Sequence, residues 1–348
     1  MATIDELALS HNWFRGNPEL PFTALVDAYM ADSLDLSTAV TKIVQPVNKK
    51  YSSGDTGMLC YATETQENSK ARQKKRETSK LTTPHPDGKE PTTETLLWDL
   101  WYTILHAAKK ISRTGPTPAP NPAIKDDKAR AASLDPSLPS PGHEKLLSLL
   151  STLKTQTPDP TAPLPDVQPP DDWIFRKDGK VWSVLLLFGP ATREVLNDAP
   201  GAGSGYGDVE LQAWGNLNAF LAHVARLGIM AGMETLGVHA LRHALEQRHA
   251  DDVKGKFQAN EARKMEAFVA AAAVWGVVLG EVLWERKGEG ESRRKSEDGV
   301  QAKGDAINRQ RWKLWIERLL FMSCREDLDI GTRELAAQAA AIMGRVHA

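Results

Sequence analysis

The stretch FVAAAAVWGVVLG, residues 268–280, decides the fold of this chain. At helical spacing its large side chains, Trp275 among them, lie on one side, and the other side is small and apolar. Glu266 and Glu281 flank the run, which is shorter than the roughly 20 apolar residues that a bilayer requires. A helix that is apolar all round packs against neighbours on every side. We therefore expect a buried core helix over residues 268–282.

Apolar residues recur at steps of three and four on both sides of this core, which is the spacing of a helix. Further helices are expected around residues 22–30, 36–44, 97–111, 146–153, 211–227 and 312–322, with a last helix opened by Thr332. We predict an all-α fold, an irregular multi-helix bundle of roughly eight to ten helices.

A tryptophan motif occurs twice, as WDLWYTIL at residues 98–105 and as WKLWIERL at residues 312–319. In each copy the two tryptophans lie one turn apart on the same helix face. We expect Trp101 and Trp315 to pack in the core, since large aromatic side chains at helical spacing are usually buried. The alternative is an exposed binding surface.

Four proline-rich or charged stretches interrupt the helices, and we expect them to be long exposed connections. They begin near Ser52, Ser112, Thr155 and Lys287. Residues 1–91 should form N-terminal helices and a polar loop that pack onto a main helical domain of residues 92–348. The basic run at residues 74–76 is a weak nuclear-import signal.

Asp178-Gly179 lies between two apolar runs, which is the strongest short signal for a β-hairpin. The competing prediction is a helix from Val181 that is broken at Gly189-Pro190.

The composition excludes some classes of function. Charged residues are 25% of the chain and the formal net charge is -2, so no overall basic field favours nucleic acid or an anionic membrane. The two cysteines indicate a reducing compartment, and Asp5 and Glu6 stand where a secretory signal is basic. We expect a cytoplasmic protein, with a nuclear location as the alternative.

Several segments together resemble a family of uncharacterised intracellular proteins of filamentous fungi, defined by a domain of unknown function. They include LWDLWYTILHAAKKI from Leu97, VWSVLLLFGPATREVLND from Val181 and ELQAWGNLNAFLAHVARLG from Glu210. The resemblance covers about residue 92 to the C-terminus and implies an all-helical fold, which favours the helix at Val181. It implies no catalytic residue, and the prolyl insert after Ser112 and the basic run near residue 74 depart from it.

His239, His243 and Glu246 are the candidate metal ligands, because residues three and four apart converge on one helix face. A solvated or salt-bridged face is the favoured interpretation, since no second histidine cluster supplies another ligand. We therefore predict no metal and no cofactor.

Asn218 lies on the apolar stripe of its predicted helix, so it should be buried and bonded to another helix. The alternative is a small polar pocket that it lines. Arg193 and Glu194 could pair with Asn218 or with each other.

The glycine-rich stretch PGAGSGYGD, residues 200–208, precedes a helix whose bare amides could receive phosphate. No strand leads into it, no Gly-Lys-Ser/Thr follows, and Asp208 would cap the helix where the phosphate would bind. A flexible loop is favoured.

No nucleophile, base and orienting group occur together at motif spacing. We expect a non-enzymatic protein-interaction or regulatory module, whose partner is an unknown protein or a small molecule. The alternative is a small-molecule binder or enzyme with a pocket between helices. A closed pocket containing Asn218 and a charged residue would favour the alternative, and a broad apolar groove the first.

Overall fold

The structure is a computed structural model that describes residues 2–53, 55, 90–114, 137–157, 159, 180–251, 257–285 and 307–347. These residues form eleven α-helices and no strand, which confirms the predicted all-α fold. The helices are α1 Ile4–His11, α2 Pro21–Met30, α3 Leu36–Ser52, α4 Thr93–Lys110, α5 Pro141–Lys154, α6 Phe188–Leu196, α7 Asp208–Arg226, α8 Glu234–Glu246, α9 Glu261–Glu285, α10 Arg309–Ser323 and α11 Ile330–His347. The four predicted connections fall mostly outside the described residues.

The chain forms two compact units. The first consists of Met1–Ile4, Ala108–Leu147 and Ala199–Ala348, and the second of Asp5–Ala107 and Ser148–Asp198. The first unit contains α7 to α11, and the second contains α2, α3 and α6.

The core of the first unit is α9, as the run at residues 268–280 predicts. Helices α7, α8, α10 and α11 all pack against it. Trp275 is fully buried, and α8 approaches so closely at Gly237 that an added Cβ would lie 2.7 Å from Trp275 Cε3. Among the described residues, α9 is also the one helix that is long and apolar enough to cross a membrane. However, 72% of its most apolar 18-residue stretch is buried inside the protein. It is therefore a core helix.

The tryptophan motifs contribute buried side chains, as predicted for Trp101 and Trp315. Both are 0% exposed, and so is Trp312, whereas Trp98 is half-buried. Each fully buried indole N–H donates a hydrogen bond, from Trp101 to the carbonyl of Leu186 at 2.6 Å and from Trp312 to the carbonyl of Met343 at 3.1 Å. These pairs remove the cost of burying an indole donor.

The prediction of a helix from Val181 is wrong. Residues 181–187 form turns, and α6 begins only at Phe188, with Pro190 in its first turn, where the missing N–H costs nothing. The Asp159 carboxylate accepts hydrogen bonds from the backbone N–H groups of Val181, Trp182 and Ser183 at 2.9 to 3.0 Å, which holds this segment in a turn. The possible hairpin at Asp178-Gly179 lies outside the described residues.

Candidate functional site

Three aromatic rings of the first unit meet at the C-terminal end of α8. The His243 ring lies edge-on to Phe268 of α9 with the ring centroids 4.3 Å apart, and His249 stacks on the same phenyl ring at 5.1 Å. His249 Nε2 is 2.9 Å from the carbonyl oxygen of His243. Burial lowers the pKa of both histidines, so both rings are predominantly neutral near pH 7.

These rings line a cleft of about 350 Å³, which we call the histidine cleft. Its lining residues are Ala199, Pro200, Gly201, Ala202, Tyr206, His243, Arg248, His249, Ala250, Lys264 and Phe268. Arg248 and Lys264 are its cations, and no carboxylate is among these lining residues. The described lining therefore combines aromatic faces with a net positive charge.

The glycine-rich loop forms one wall of the histidine cleft. Gly201 has a left-handed φ of 84°, and an added Cβ would clash with the hydroxyl of Tyr206. A side chain at residue 201 would therefore both strain the backbone and displace Tyr206.

The expected capping role of Asp208 is wrong, because Glu210 binds the loop amides instead. Glu210 Oε1 accepts from the N–H of Gly205 at 2.6 Å, and Oε2 accepts from the N–H of Gly207 at 2.8 Å. Asp208 pairs with Arg263 of α9. A carboxylate thus already occupies two of the amides that a phosphate would need.

The candidate metal ligands do not converge. His239 is exposed, and the Glu246 carboxylate accepts from Trp315 Nε1 at 2.8 Å and pairs with Arg311 at 2.9 Å. Across the ranges that the structure describes, no group of three His, Cys, Asp or Glu side chains could hold a metal ion. Of the three predicted ligands, only His243 lines the histidine cleft.

Asn218 is 3% exposed and joins α7 to α9. Its Oδ1 accepts from Trp275 Nε1 at 2.9 Å, and its Nδ2 donates to the carbonyl of Trp214 at 2.9 Å. The side chain thus forms the predicted interhelical bond, and it lines neither the histidine cleft nor the second cleft described below.

Arg193 and Glu194 belong to α6 of the second unit. Arg193 is exposed, whereas Glu194 is half-buried and accepts a hydrogen bond from Asn197 Nδ2 at 3.3 Å. Their suggested pairing with Asn218 stays a prediction.

Sequence reasoning missed most of the histidine cleft. His249 and Arg248 end the same stretch, HALRHALEQRH, that drew attention to His243, but they lie beyond the end of α8. Helical spacing therefore carried no information about them. Lys264 and Phe268 come from α9, and only the packing of α9 on α8 brings them to this place.

A second cleft of about 250 Å³ lies in the same unit, and we call it the arginine cleft. Its lining residues are Ser112, Arg113, Thr114, Asp208, Leu211, Gln212, Gly215, Asn216, Arg263, Glu266, Ala267, Ala270, Asp329 and Thr332. Burial lowers the pKa of the Arg113 guanidinium, while the charge of Asp329 opposes this shift.

Arg263 stands between the two clefts. Its Nε donates to the carbonyl of Tyr206 at 2.7 Å, and its guanidinium pairs with Glu266 at 2.7 Å and with Asp208. It therefore joins the wall of the histidine cleft to the acids of the arginine cleft.

Comparison with known proteins gives a family but no activity. No curated protein and no solved structure matches the chain. A family model described as "Protein of unknown function (DUF3632)" matches residues 129–319, which include every residue of the histidine cleft. Fungal origin and an intracellular location stay predictions. Because the match covers more than half of the 348 residues, the chain belongs to the DUF3632 family.

Proposed function

We propose that this protein is a binding protein for a small anion that carries a planar apolar group, and that the ligand occupies the histidine cleft. The observation that carries this proposal is the meeting of the His243, His249 and Phe268 rings with Arg248 and Lys264, with no carboxylate among the described lining residues. This develops the small-molecule alternative of the sequence analysis.

The charges favour an anion. Arg248 is exposed, and a guanidinium forms paired hydrogen bonds with a carboxylate or phosphate. Lys264 Nζ donates to the carbonyl of Ala250 at 2.9 Å, which holds the ammonium group beside the cleft. The neutral histidines add aromatic surface rather than charge, because burial lowers the pKa of each.

The rings favour a planar group. Phe268 is half-buried, and its contacts with the two imidazoles leave it at the cleft wall rather than in the core. Stacking of an aromatic ligand on such a ring adds roughly 0.5 to 1.5 kcal/mol beyond the burial of area.

Isothermal titration with phenyl phosphate, inorganic phosphate and phenol tests the proposal. Phenyl phosphate should bind more tightly than either fragment, because it can use both the cations and the rings. Arg248→Gln should weaken its binding about tenfold, the loss expected for one charged hydrogen-bonded pair. The matched control is Lys42→Gln, which removes one exposed charge outside the cleft lining and should leave the affinity unchanged.

Two results would overturn the proposal. One is equal, Arg248-independent binding of phenyl phosphate and phenol. The other is the absence of binding by all three probes to protein whose melting curve shows it to be folded.

A protein-interaction role is the second candidate, and one observation favours it. Leu320, Phe321 and Ile330 are 50%, 62% and 66% exposed at the end of α10 and the start of α11. Exposed apolar groups of this size are typical of interaction surfaces when they are contiguous. Sedimentation of wild-type protein and of Phe321→Ser over a range of concentrations would test it, since self-association through this surface should be lost in the variant.

We also propose a cytoplasmic location, with the nucleus as the alternative. A fluorescent fusion, with and without alanines at residues 74–76, tests this location.

We propose in addition that residues 1–91 pack onto a main domain of residues 92–348. Expression of residues 92–348 alone, followed by a thermal melt, tests this division.

A further inference from the structure

The arginine cleft contains a cation without an ion-pair partner. Arg263 is bonded to Tyr206, Glu266 and Asp208, so its charge is balanced. In the described part of the chain, the guanidinium of Arg113 has neither a hydrogen bond nor an ion pair. The one hydrogen bond that links Arg113 to another described residue comes from its backbone N–H, which donates to Asn216. The half-buried guanidinium therefore has side-chain donors for which no described residue supplies an acceptor, and a ligand in the cleft can supply one.

The position of Arg113 is fixed by the surrounding structure. Asn216 of α7 is 2% exposed, and its Oδ1 accepts from the N–H of Arg113 at 2.9 Å while its Nδ2 donates to the carbonyl of Lys109 at 2.9 Å. A Cβ at Gly215 would lie 3.6 Å from Arg113 Nε, so the side chain lies along the surface of α7. The backbone hydrogen bond to Asn216 and the contact with α7 at Gly215 therefore hold Arg113 at the cleft.

The arginine cleft also contains an acid without an ion-pair partner. Asp208 and Glu266 are both paired with Arg263. Asp329 accepts hydrogen bonds only from backbone groups, from the N–H of Gly331 at 2.8 Å and of Thr332 at 3.4 Å, among the contacts of the described residues. Among the described residues of the cleft, Arg113 and Asp329 are thus the two charged groups that form no salt bridge, and they act on each other only through a longer-range electrostatic interaction.

We propose that the arginine cleft binds a small α-amino acid, whose carboxylate pairs with Arg113 and whose ammonium group faces Asp329. A planar carboxylate matches the paired donors of a guanidinium. An amino acid brings one charge of each sign, for Arg113 and Asp329, whereas a phosphate dianion would add two negative charges to a described lining that already has three carboxylates against two guanidiniums.

The size and lining of the cleft favour a short aliphatic side chain. The volume of about 250 Å³ is below the range that drug-sized ligands occupy. Leu211, Ala267 and Ala270 contribute the apolar part of the lining. This inference uses no residue of the histidine cleft, so it can fail or succeed independently of the proposed function.

Isothermal titration of the full chain with three matched probes tests the ligand class. L-Norvaline carries both charges, pentanoate lacks the ammonium group, and butylamine lacks the carboxylate. L-Norvaline should bind at least about tenfold more tightly than either, because each fragment forms only one of the two charged pairs. Equal affinities for all three, or tighter binding of inorganic phosphate than of L-norvaline, would overturn the proposal.

Three variants test the residues. Arg113→Gln should lower the affinity for L-norvaline about tenfold or more, and Asp329→Asn, which can still accept the backbone hydrogen bonds, should bring L-norvaline down to the affinity of pentanoate. Arg318→Gln, which removes an exposed arginine outside the cleft, is the control and should change nothing. A melting curve shows that each variant is folded. Unchanged L-norvaline binding by folded Arg113→Gln would contradict the assignment.

Discussion

Glu246 and Trp315 are bonded to each other, since the indole Nε1 donates to the Glu246 carboxylate at 2.8 Å. The carboxylate that helical spacing marks as a possible metal ligand therefore holds the polar tip of a fully buried tryptophan. Arg311 pairs with the same carboxylate at 2.9 Å. One acidic side chain of α8 thus links α8 to two residues of α10.

Removal of the Trp315 side chain should destabilise the protein. Trp315→Ala should lower the free energy of unfolding by about 3 to 5 kcal/mol, because it loses apolar contacts and leaves a cavity. Trp101→Ala, at the matching position of the other motif, should cost a similar amount. Urea melts measure both values. Losses below about 1 kcal/mol at both sites would be typical of surface residues and would contradict the burial of these rings.

Zinc or nickel should leave the melting temperature unchanged. A metal bound at His239, His243 and Glu246 would raise it by mass action, but Glu246 is held by Trp315 and Arg311. Thermal melts at saturating metal check this. A rise that the double change His239→Ala, His243→Ala abolishes would restore the metal site.

The bond between Asn218 and Trp275 should contribute measurably to stability. Asn218→Ala leaves the buried Trp275 N–H without an acceptor, which should cost about 1 to 3 kcal/mol. In a Trp275→Phe background the same change should cost less, because the donor is already absent. A double-mutant cycle by denaturant melts gives the coupling energy, and a value near zero would show that the bond contributes nothing.

Asp99 should make stability depend on pH. Burial raises the pKa of this carboxyl from its ordinary 3.8 to about 6, although the backbone N–H of Asn17 donates to it. Between these values the folded protein holds a proton that the unfolded chain has lost. Stability is therefore fully present below pH 4 and falls as the pH rises to about 6.

Asp99→Asn should remove this pH-dependent loss of stability. The loss amounts to about 2 to 3 kcal/mol of the free energy of unfolding at most, and urea melts at pH 4 and pH 7 measure it. The Asn side chain keeps an acceptor for Asn17. Asp27→Asn, at an exposed carboxylate, is the control. An identical pH profile for wild type and Asp99→Asn would show that this carboxyl does not titrate in that range.

The helices and much of the core could be predicted from the sequence because their signal is local. Residues three and four apart share a helix face wherever the helix lies, so the apolar run of α9 and the tryptophan pairs indicate burial without any knowledge of neighbours. The segment from Val181 is an exception. Its apolar run fits a helix, but the carboxylate of Asp159, far away in sequence, holds the backbone in a turn.

Only the tertiary structure decided which polar groups meet. Arg113 follows α4 and Asp329 precedes α11, so nothing in the spacing of either segment relates the two charges. His243 and Glu246 are close in sequence, yet one lines a cleft and the other anchors Trp315, because their directions depend on which helix packs against each side of α8. Apolar periodicity determines that a helix is buried, whereas the packing of several helices determines which side chains share a cavity.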